Sequence, residues 1–132
     1  MFLDTNVWLS AVIFSGLCED IVVQCAERRW LVSSRLVRHE AHEVLLRKFE
    51  SVPKAPVLFD TVWTNAQLID DVAEPSSHND KRLIYAASNS GVDVFVTGDK
   101  RILGWVNQPP SGVQLLNMKV LAPREAWVTL FG

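Results

Sequence analysis

Short apolar runs alternate along the chain with longer segments in which apolar residues recur at helical spacing. Apolar runs of this length indicate buried strands, and a period of three to four residues indicates helices packed on one side. The runs predict strands at residues 1–3, 30–33, 92–97 and about 119–121. The periodic segments predict helices at residues 7–14, 19–28, about 35–49, 57–72, 80–90 and 102–105, and a last helix from Pro123. Polar segments with proline predict turns at residues 74–79 and 107–112.

Residues that favour helix ends stand at several of these boundaries. Ser34 is suited to cap the helix that follows it, and Thr5 or Asn6 is suited to cap the first helix. Gly91 is suited to the C-terminal end of the helix before it. Apolar strands separated by amphipathic helices predict an α/β fold, with a mainly parallel sheet covered by helices on both faces.

The length and composition describe one globular domain that spans residues 1–132. With 48% hydrophobic and 21% charged residues, the chain can form a core without disulfides or a structural metal. Thirteen Lys and Arg residues against fifteen Asp and Glu residues give a net charge of −2. This balance excludes a histone-like protein that is held to nucleic acid by its overall charge, but not a nucleic-acid enzyme with a local basic surface.

The two cysteines and the absence of long apolar runs bear on the cellular location. Cys18 and Cys25 lie two helical turns apart, about 10 Å along the axis, which is too far for a disulfide. We therefore expect reduced thiols. No apolar run approaches the roughly 18 residues that span a membrane, and the chain opens with a strand and an acid rather than a leader. These features predict a cytoplasmic protein without a membrane partner.

Two aspartates stand where predicted strands end. Asp4 follows the first strand, and Asp99 follows the strand at residues 92–97. Ligands of parallel α/β sheets bind beyond the carboxyl ends of the strands. Aspartate is also common in turns and at helix starts after strands, so either residue alone is weak evidence for a site.

Glu40 stands on the apolar side of its predicted helix. Leu36, Glu40 and Val44 are four residues apart and form one stripe, so a carboxylate there has to be paired, metal-bound or in a cavity. Glu43 lies about 60° off that stripe. We expect it to be solvated and paired with Arg47, four residues later.

A fourth acid, Asp80, stands at the start of the helix at residues 80–90. It is either the cap of that helix or a side chain directed at the sheet edge. If the four acids converge, oxygen ligands alone favour Mg²⁺ or Mn²⁺ over Zn²⁺. His39 and His42 occupy another face of their helix than Glu40, and we expect both to be solvated.

Basic residues accompany these acids, and a divalent ion among carboxylates commonly serves phosphate esters. Each cation alone is most simply a solvating surface charge. Together they are candidates to hold a nucleic-acid backbone: Arg35, Arg38, Arg47, Lys48, Lys81, Arg82, Lys100 and Arg101.

Several segments resemble the motifs of PIN-domain nucleases, in the same order. The opening Phe2-Leu3-Asp4-Thr5-Asn6-Val7 is similar to the start of that family, and Val96-Thr97-Gly98-Asp99-Lys100 is similar to the segment of its late acid. Ser34, Glu40 and Val44-Leu45 resemble the helix of the second acid. Asn79-Asp80-Lys81-Arg82-Leu83 with Ala86-Ala87 resembles the helix start of the third, and residues 120–125 resemble the closing strand and helix. The resemblance covers essentially the whole chain.

The resemblance implies a three-layer α/β/α sandwich and a metal-dependent endoribonuclease that acts on single-stranded or structured RNA. It implies that Mg²⁺ or Mn²⁺ is held by four acids, which are Asp4, Glu40, Asp80 and Asp99. It suggests supporting roles in positioning groups or binding substrate for Asn6, Thr97, Arg38, Lys81 and Lys100. A domain of this size resembles the VapC-like toxin of a bacterial toxin–antitoxin pair, which implies a cognate antitoxin and a homodimer.

One departure and two alternatives accompany this interpretation. Ser77-His78-Asn79 precede a single Asp80 where related toxins often carry several aspartates, which would weaken metal binding. The first alternative is a PIN fold that has lost activity and binds only RNA or a protein. The second is a haloacid-dehalogenase-like phosphohydrolase, but its second aspartate would stand at Asn6.

Overall fold

A sheet of five parallel strands crosses the computed structural model, which describes residues 1–72, 78–109 and 115–132. In those residues the strands are β1 (Phe2–Leu3), β2 (Val32–Ser33), β3 (Gln67–Leu68), β4 (Val94–Val96) and β5 (Lys119–Leu121). Their order across the sheet is β3-β2-β1-β4-β5, and every neighbouring pair is parallel. The predicted parallel sheet is confirmed.

Helices connect these strands and cover the sheet. Within the described ranges they are α1 (Thr5–Ile13), α2 (Leu17–Glu27), α3 (Arg35–Lys48), α4 (Ala55–Trp63), α5 (Asn79–Asn89), α6 (Lys100–Leu103) and α7 (Pro123–Leu130). A 3₁₀ turn at Gly104–Val106 extends α6. Because strand–helix–strand crossovers are right-handed, α1 to α4 lie on one face and α5 and α6 on the other. This arrangement agrees with the predicted α/β/α sandwich.

The segment predicted as one helix at residues 57–72 divides into a helix and a strand. The helix is α4, which ends at Trp63. Beyond it the chain extends as β3, and the amide of Ile69 donates to the carbonyl of Ser33 at 2.9 Å. The prediction was wrong here because pairing with β2 supplies backbone hydrogen bonds that a single segment's periodicity cannot reveal. The predicted four strands become five.

The first helix begins two residues earlier than predicted because Asp4 caps it. Asp4 Oδ1 accepts a hydrogen bond from the amide of Thr5 at 2.8 Å. The predicted caps, Thr5 and Asn6, are instead the first residues of α1. The carboxylate that ends β1 therefore also starts α1.

The N-terminus of α3 is capped by a residue far along the chain. Ser34 precedes the helix as predicted, but its hydroxyl makes no hydrogen bond within the described residues. Asp71 Oδ2 instead accepts from the amide of Leu36 at 3.1 Å, across 35 positions in sequence. This contact fixes the segment after β3 against the start of α3.

Replacing Asp71 by Ala should lower the free energy of unfolding by about 1 kcal/mol, the usual cost of losing a helix cap. The neighbouring Asp70 is exposed and has no such role among the described contacts, so Asp70→Ala is the matched control. Urea unfolding of both variants measures the difference. Equal stability of Asp71→Ala and Asp70→Ala would contradict the assignment of the cap.

The remaining boundaries differ by a few residues. Gly91 follows α5 with a φ of 75°, the left-handed conformation expected at a helix C-terminus, so its predicted role is confirmed. α6 begins two residues before the predicted helix at 102–105. Of the predicted turns at 74–79 and 107–112, residues 74–77 and 110–112 lie outside the described part of the chain.

The core packs against both faces of the central strands. Phe2 on β1 stacks on Phe95 on β4 with ring centroids 5.4 Å apart, and Trp8 packs edge-on against Phe59 at 5.3 Å.

Cys18 and Cys25 are free thiols, as predicted. In the described ranges no single helix is long and apolar enough to cross a membrane, although the bent pair α1 and α2 together meets the length and composition criteria.

The connections reverse direction between β1 and β4. From β1 the chain passes to β2 and then β3 on one side, and it returns through α5 to β4 on the other side of β1. The carboxyl ends of β1 and β4 therefore flank a topological switch point, where open α/β sheets place their ligand sites.

Candidate active site at the carboxyl edge of the sheet

Asp4 lies at this switch point and is almost fully buried, with 6% of its surface exposed. Its Oδ2 accepts hydrogen bonds from Thr97 Oγ1 at 2.7 Å and from Asn6 Nδ2 at 3.1 Å. Burial raises the pKa of Asp4 to about 6, since the hydrogen bonds from Thr97 and Thr5 offset only part of the desolvation. The negative charges of Glu40 and Asp80 raise the Asp4 pKa further.

Thr97 and Asn6 join the ends of β1 and β4. The Thr97 hydroxyl is buried, donates to Asp4 and accepts from the amide of Asp99 at 3.1 Å. Asn6 Oδ1 accepts from the amide of Gly98 at 3.1 Å while its Nδ2 donates to Asp4. Both residues predicted to assist the acids therefore lie in contact with Asp4 and hold it in one orientation.

Glu40 connects α3 to the starts of α1 and α5. Its Oε1 accepts from Thr5 Oγ1 at 2.8 Å, and its Oε2 accepts from Asn79 Nδ2 at 3.1 Å. The side chain is half-buried, at the margin of the helix face that packs inward. The structure thus brings Glu40 to the sheet edge, as predicted.

The predicted stripe on α3 needs a correction. The fully buried residues of this helix are centred on Val37, Ala41 and Leu45, whereas Val44 is only partly buried. Glu40 therefore borders the buried face rather than occupying its centre. A carboxylate in that position keeps access to solvent and to a ligand.

Glu43 behaves as predicted. Its side chain is 57% exposed, and Glu43 Oε1 accepts from Arg47 Nη1 at 3.5 Å. His39 Nε2 lies 3.9 Å from the other carboxylate oxygen. Glu43 has no contact with the acids at the sheet edge among the described hydrogen bonds and ion pairs, so the two glutamates of α3 differ in surroundings.

Asp80 and Asp99 are bridged by an arginine. Arg101 Nη2 donates to Asp80 Oδ2 and, at 3.2 Å, to Asp99 Oδ2. Its backbone amide donates to Asp99 Oδ1 at 2.8 Å, so Asp99 also caps α6. The hydrogen bond to Asp99 and the charges of Asp80 and Asp99 hold the pKa of Arg101 above its usual value. The alternative that Asp80 caps α5 is wrong, because His78 occupies that position.

The four predicted acids belong to one hydrogen-bonded network. Thr97 links Asp4 to the Asp99 backbone, and Thr5 links the start of α1 to Glu40. Asn79, directly before Asp80, bonds Glu40 from α5. An open cleft of about 280 Å³ lies beside the network and is lined in part by Asn6, Gly98 and Asp99.

The donor chemistry of the network fits a magnesium or manganese ion, since all four candidate ligands are carboxylates. Among the described residues no three His, Cys, Asp or Glu side chains lie close enough together to hold a metal ion as placed. Arg101 supplies a positive charge between two of the acids instead. Metal coordination by these acids therefore requires that their carboxylates come closer together and that the Arg101 guanidinium leave Asp80 and Asp99.

The three predicted substrate-binding cations lie in different surroundings. Lys81 and Lys100 directly follow Asp80 and Asp99 at the sheet edge, with Lys100 exposed. Arg38 donates to Asp60 on α4 through Nε at 3.1 Å and through Nη2 at 3.3 Å. It lies on a face of α3 that packs against α4, away from Glu40.

The prediction that His42 is solvated is wrong. His42 Nε2 lies 2.8 Å from Asp60 Oδ1, and its ring packs edge-on against Phe59 at 5.7 Å. The hydrogen bonds that His42 and Arg38 make to Asp60 lower the pKa of that carboxyl, although desolvation opposes them. His39 is exposed as predicted.

Sequence reasoning missed the roles of Thr5, Asn79 and Arg101. Thr5 and Asn79 each stand next to a candidate acid in sequence, and that adjacency was the available signal. The sequence predicts only a basic surface residue at Arg101, because its contact with Asp80 depends on how α5 and α6 meet.

Comparisons with protein-family models, with curated proteins and with solved structures found no match. The function is therefore inferred from the residues at the switch point. These are a buried carboxylate, three further acids connected to it, and cations on their flanks.

Proposed function

We propose that the protein is a metal-dependent endoribonuclease that hydrolyses phosphodiester bonds in single-stranded RNA. The observation that carries this proposal is the buried Asp4, whose neighbours Thr97 and Thr5 connect it to Asp99 and Glu40. A buried carboxylate with further carboxylates beside it is costly to maintain. Such arrangements are concentrated at functional sites, and this one lies where α/β sheets bind ligands.

In this proposal the ion is Mg²⁺ or Mn²⁺. When bound, such an ion neutralises the substrate phosphate and lowers the pKa of an attacking water. The residues that would hold the ion are Asp4, Glu40, Asp80 and Asp99.

The surrounding polar side chains orient two of these acids, Asp4 and Glu40. Thr97 and Asn6 donate to one oxygen of Asp4, and Thr5 and Asn79 donate to the two oxygens of Glu40. Hydrogen bonds of this kind orient ligand side chains, and their loss reduces metal affinity or activity. This support favours a working site over surface carboxylates that meet by chance.

An anionic substrate backbone fits the flanks of the site. Lys81 and Lys100 follow two of the acids, and the cleft beside Asp99 is open to solvent. RNA as the substrate, a cytoplasmic toxin role, a cognate antitoxin and a homodimer follow from the resemblance to PIN-domain toxins. We include them in the proposal on that basis.

A haloacid-dehalogenase-like mechanism is disfavoured by the position of Asn6. That chemistry needs an acid–base carboxylate two residues after Asp4. Asn6 is an amide there, and it uses both of its polar atoms on Asp4 and Gly98. The Asn6 amide can position Asp4, but it cannot act as a general acid or base near neutral pH.

Cleavage of a labelled single-stranded RNA by the purified protein tests the proposal. We expect cleavage with Mg²⁺ or Mn²⁺, loss of cleavage in excess EDTA, and recovery when the ion is restored. A Glu40→Gln preparation made in parallel controls for contaminating nuclease. The metal mechanism would be overturned if the wild type cleaves equally well in excess chelator while the Glu40→Gln preparation shows no cleavage.

The chemistry of the RNA ends gives an independent check. Attack by water leaves 5′-phosphate and 3′-hydroxyl ends, whereas attack by the ribose 2′-hydroxyl leaves a cyclic 2′,3′-phosphate. We expect the first pair of ends, as measured by susceptibility of the products to a 5′-phosphate-dependent exonuclease. Cyclic phosphate products would contradict hydrolysis by an activated water.

A further inference from the structure

Arg101 is the cation at the centre of the acidic site. One of its terminal nitrogens, Nη2, is shared between Asp80 of α5 and Asp99 at the end of β4. The side chain is 62% exposed, whereas both carboxylates are partly buried. A solvent-exposed cation therefore connects two acids that come from different elements.

We propose that Arg101 is an internal counter-cation that competes with the divalent ion for Asp80 and Asp99, and that its released guanidinium binds a phosphate of the RNA. This inference rests on the proposed function, since it concerns the same carboxylates. It adds a residue and a coupling between metal and substrate that the proposed function does not contain.

Competition follows from the atoms that are engaged. Arg101 occupies Oδ2 of both aspartates, and its backbone amide occupies Oδ1 of Asp99. An ion that takes Oδ2 of these acids has to displace the guanidinium. Arginine stays protonated at all relevant pH values, so the site cannot relieve this competition by losing a proton.

Phosphate is the natural second partner of the displaced group. The planar guanidinium fork matches carboxylate and phosphate alike, with paired charge-assisted hydrogen bonds. Because the Arg101 side chain is largely exposed, it can change partner without repacking the core. Its new partner would lie beside the acids, where the scissile phosphate must bind in the proposed reaction.

The exchange predicts that metal and RNA bind cooperatively. A bound ion frees Arg101 for a phosphate, and a phosphate that holds Arg101 frees the carboxylates for the ion. By linkage, each ligand must raise the affinity for the other by the same factor. Removing the guanidinium removes the part of this coupling that Arg101 transmits.

Calorimetric titration of Mn²⁺ into the RNA-free protein tests the competition. We expect Arg101→Gln to bind Mn²⁺ about tenfold more tightly than the wild type, because the ion no longer displaces an attached cation. Lys119→Gln is the control, since Lys119 is an exposed cation at the start of β5, away from the acids and from the bridge. It should change Mn²⁺ affinity by less than about threefold. Circular dichroism verifies that each variant is folded.

The same titration with a short single-stranded oligodeoxyribonucleotide tests the coupling. The oligonucleotide should tighten Mn²⁺ binding to the wild type and to Lys119→Gln. It should have much less effect on Arg101→Gln, whose carboxylates are already free. A second variant, Arg101→Lys, keeps the charge but not the fork, and should fall between these two behaviours.

The outcomes separate this inference from the proposed function. Unchanged or weaker Mn²⁺ affinity in Arg101→Gln, or an equal gain of affinity in Lys119→Gln, overturns the role of Arg101. Metal-dependent RNA cleavage by the wild type would still support the nuclease. Equal tightening by the oligonucleotide in wild type and Arg101→Gln overturns the phosphate exchange. No Mn²⁺ binding by any of the proteins overturns both proposals.

Discussion

Glu40→Gln should lower RNA cleavage by orders of magnitude, whereas Glu43→Gln should leave it unchanged. Both residues lie on α3 and undergo the same chemical change. Glu40 meets Thr5 and Asn79 at the sheet edge, whereas the described polar contacts of Glu43 are with Arg47 and His39 on the surface. The substitution at position 40 removes a negative charge from the proposed ion site, and the one at position 43 removes a solvent-exposed ion pair. Initial cleavage rates at saturating Mg²⁺ measure the difference.

Folding measurements accompany this comparison as its control. An exposed pair such as Glu43 with Arg47 contributes about 0.3–0.5 kcal/mol, so Glu43→Gln should barely shift the melting temperature. Glu40→Gln loses one of two accepting oxygens but also a charge that repels Asp4, and we expect a similarly small shift in EDTA. An inactive Glu43→Gln beside an active Glu40→Gln would place the second acid at position 43 and remove the proposed site.

In EDTA the protein should become more stable as the pH falls from about 7.5 to about 4. The cause is Asp4, whose pKa is about 6 when folded against 3.8 in its unperturbed state. Between these values the folded state binds a proton that the unfolded state does not, so stability decreases as pH rises. The loss of stability caused by ionising the buried Asp4 is fully present above about pH 6 and absent below about pH 4. A difference of about two pKa units corresponds to about 3 kcal/mol, which urea unfolding across this range measures.

The Asp4→Asn variant identifies the group responsible. It removes the titrating carboxyl, so its stability should be nearly independent of pH over the same interval. An equal pH dependence in wild type and Asp4→Asn would assign the effect to another residue. In the wild type, cleavage should also decline below about pH 6, because a protonated Asp4 no longer offers a charged ligand.

The elements that end at the site could be predicted from local patterns. β1 and β4 are buried on both faces, and their sequences are therefore continuous apolar runs. Asp4 and Asp99 follow the ends of those runs. Because parallel strands all end at one edge, convergence of the two aspartates follows from the fold class alone. Glu40 could be predicted from helical spacing, although the buried face of α3 is centred elsewhere.

The features that were missed depend on contacts between distant segments. β3 consists of Gln67 and Leu68, two exposed residues at the edge of the sheet, so it has no apolar signature. Asp71 reaches α3 across 35 positions, and His42 depends on Asp60 of the next helix. Neither pairing has a fixed spacing that a single sequence could reveal.

Arg101 illustrates the same limit within the site itself. A basic residue two positions after Asp99 is typical of a solvated helix surface, and most such residues have no other role. Its bridge to Asp80 exists because α5 and α6 start at the same edge of the sheet. The charge balance of the site could therefore be determined only from the folded structure.

A crystal of the protein soaked in Mn²⁺ and measured at the manganese absorption edge tests the central claim most directly. We expect an anomalous peak at the carboxyl edge between β1 and β4, about 2.0–2.3 Å from oxygens of Asp4 and of at least two of Glu40, Asp80 and Asp99. Arg101 should have left Asp80 in that map. A fully occupied manganese site elsewhere, with Arg101 still bridging Asp80 and Asp99, would contradict the account.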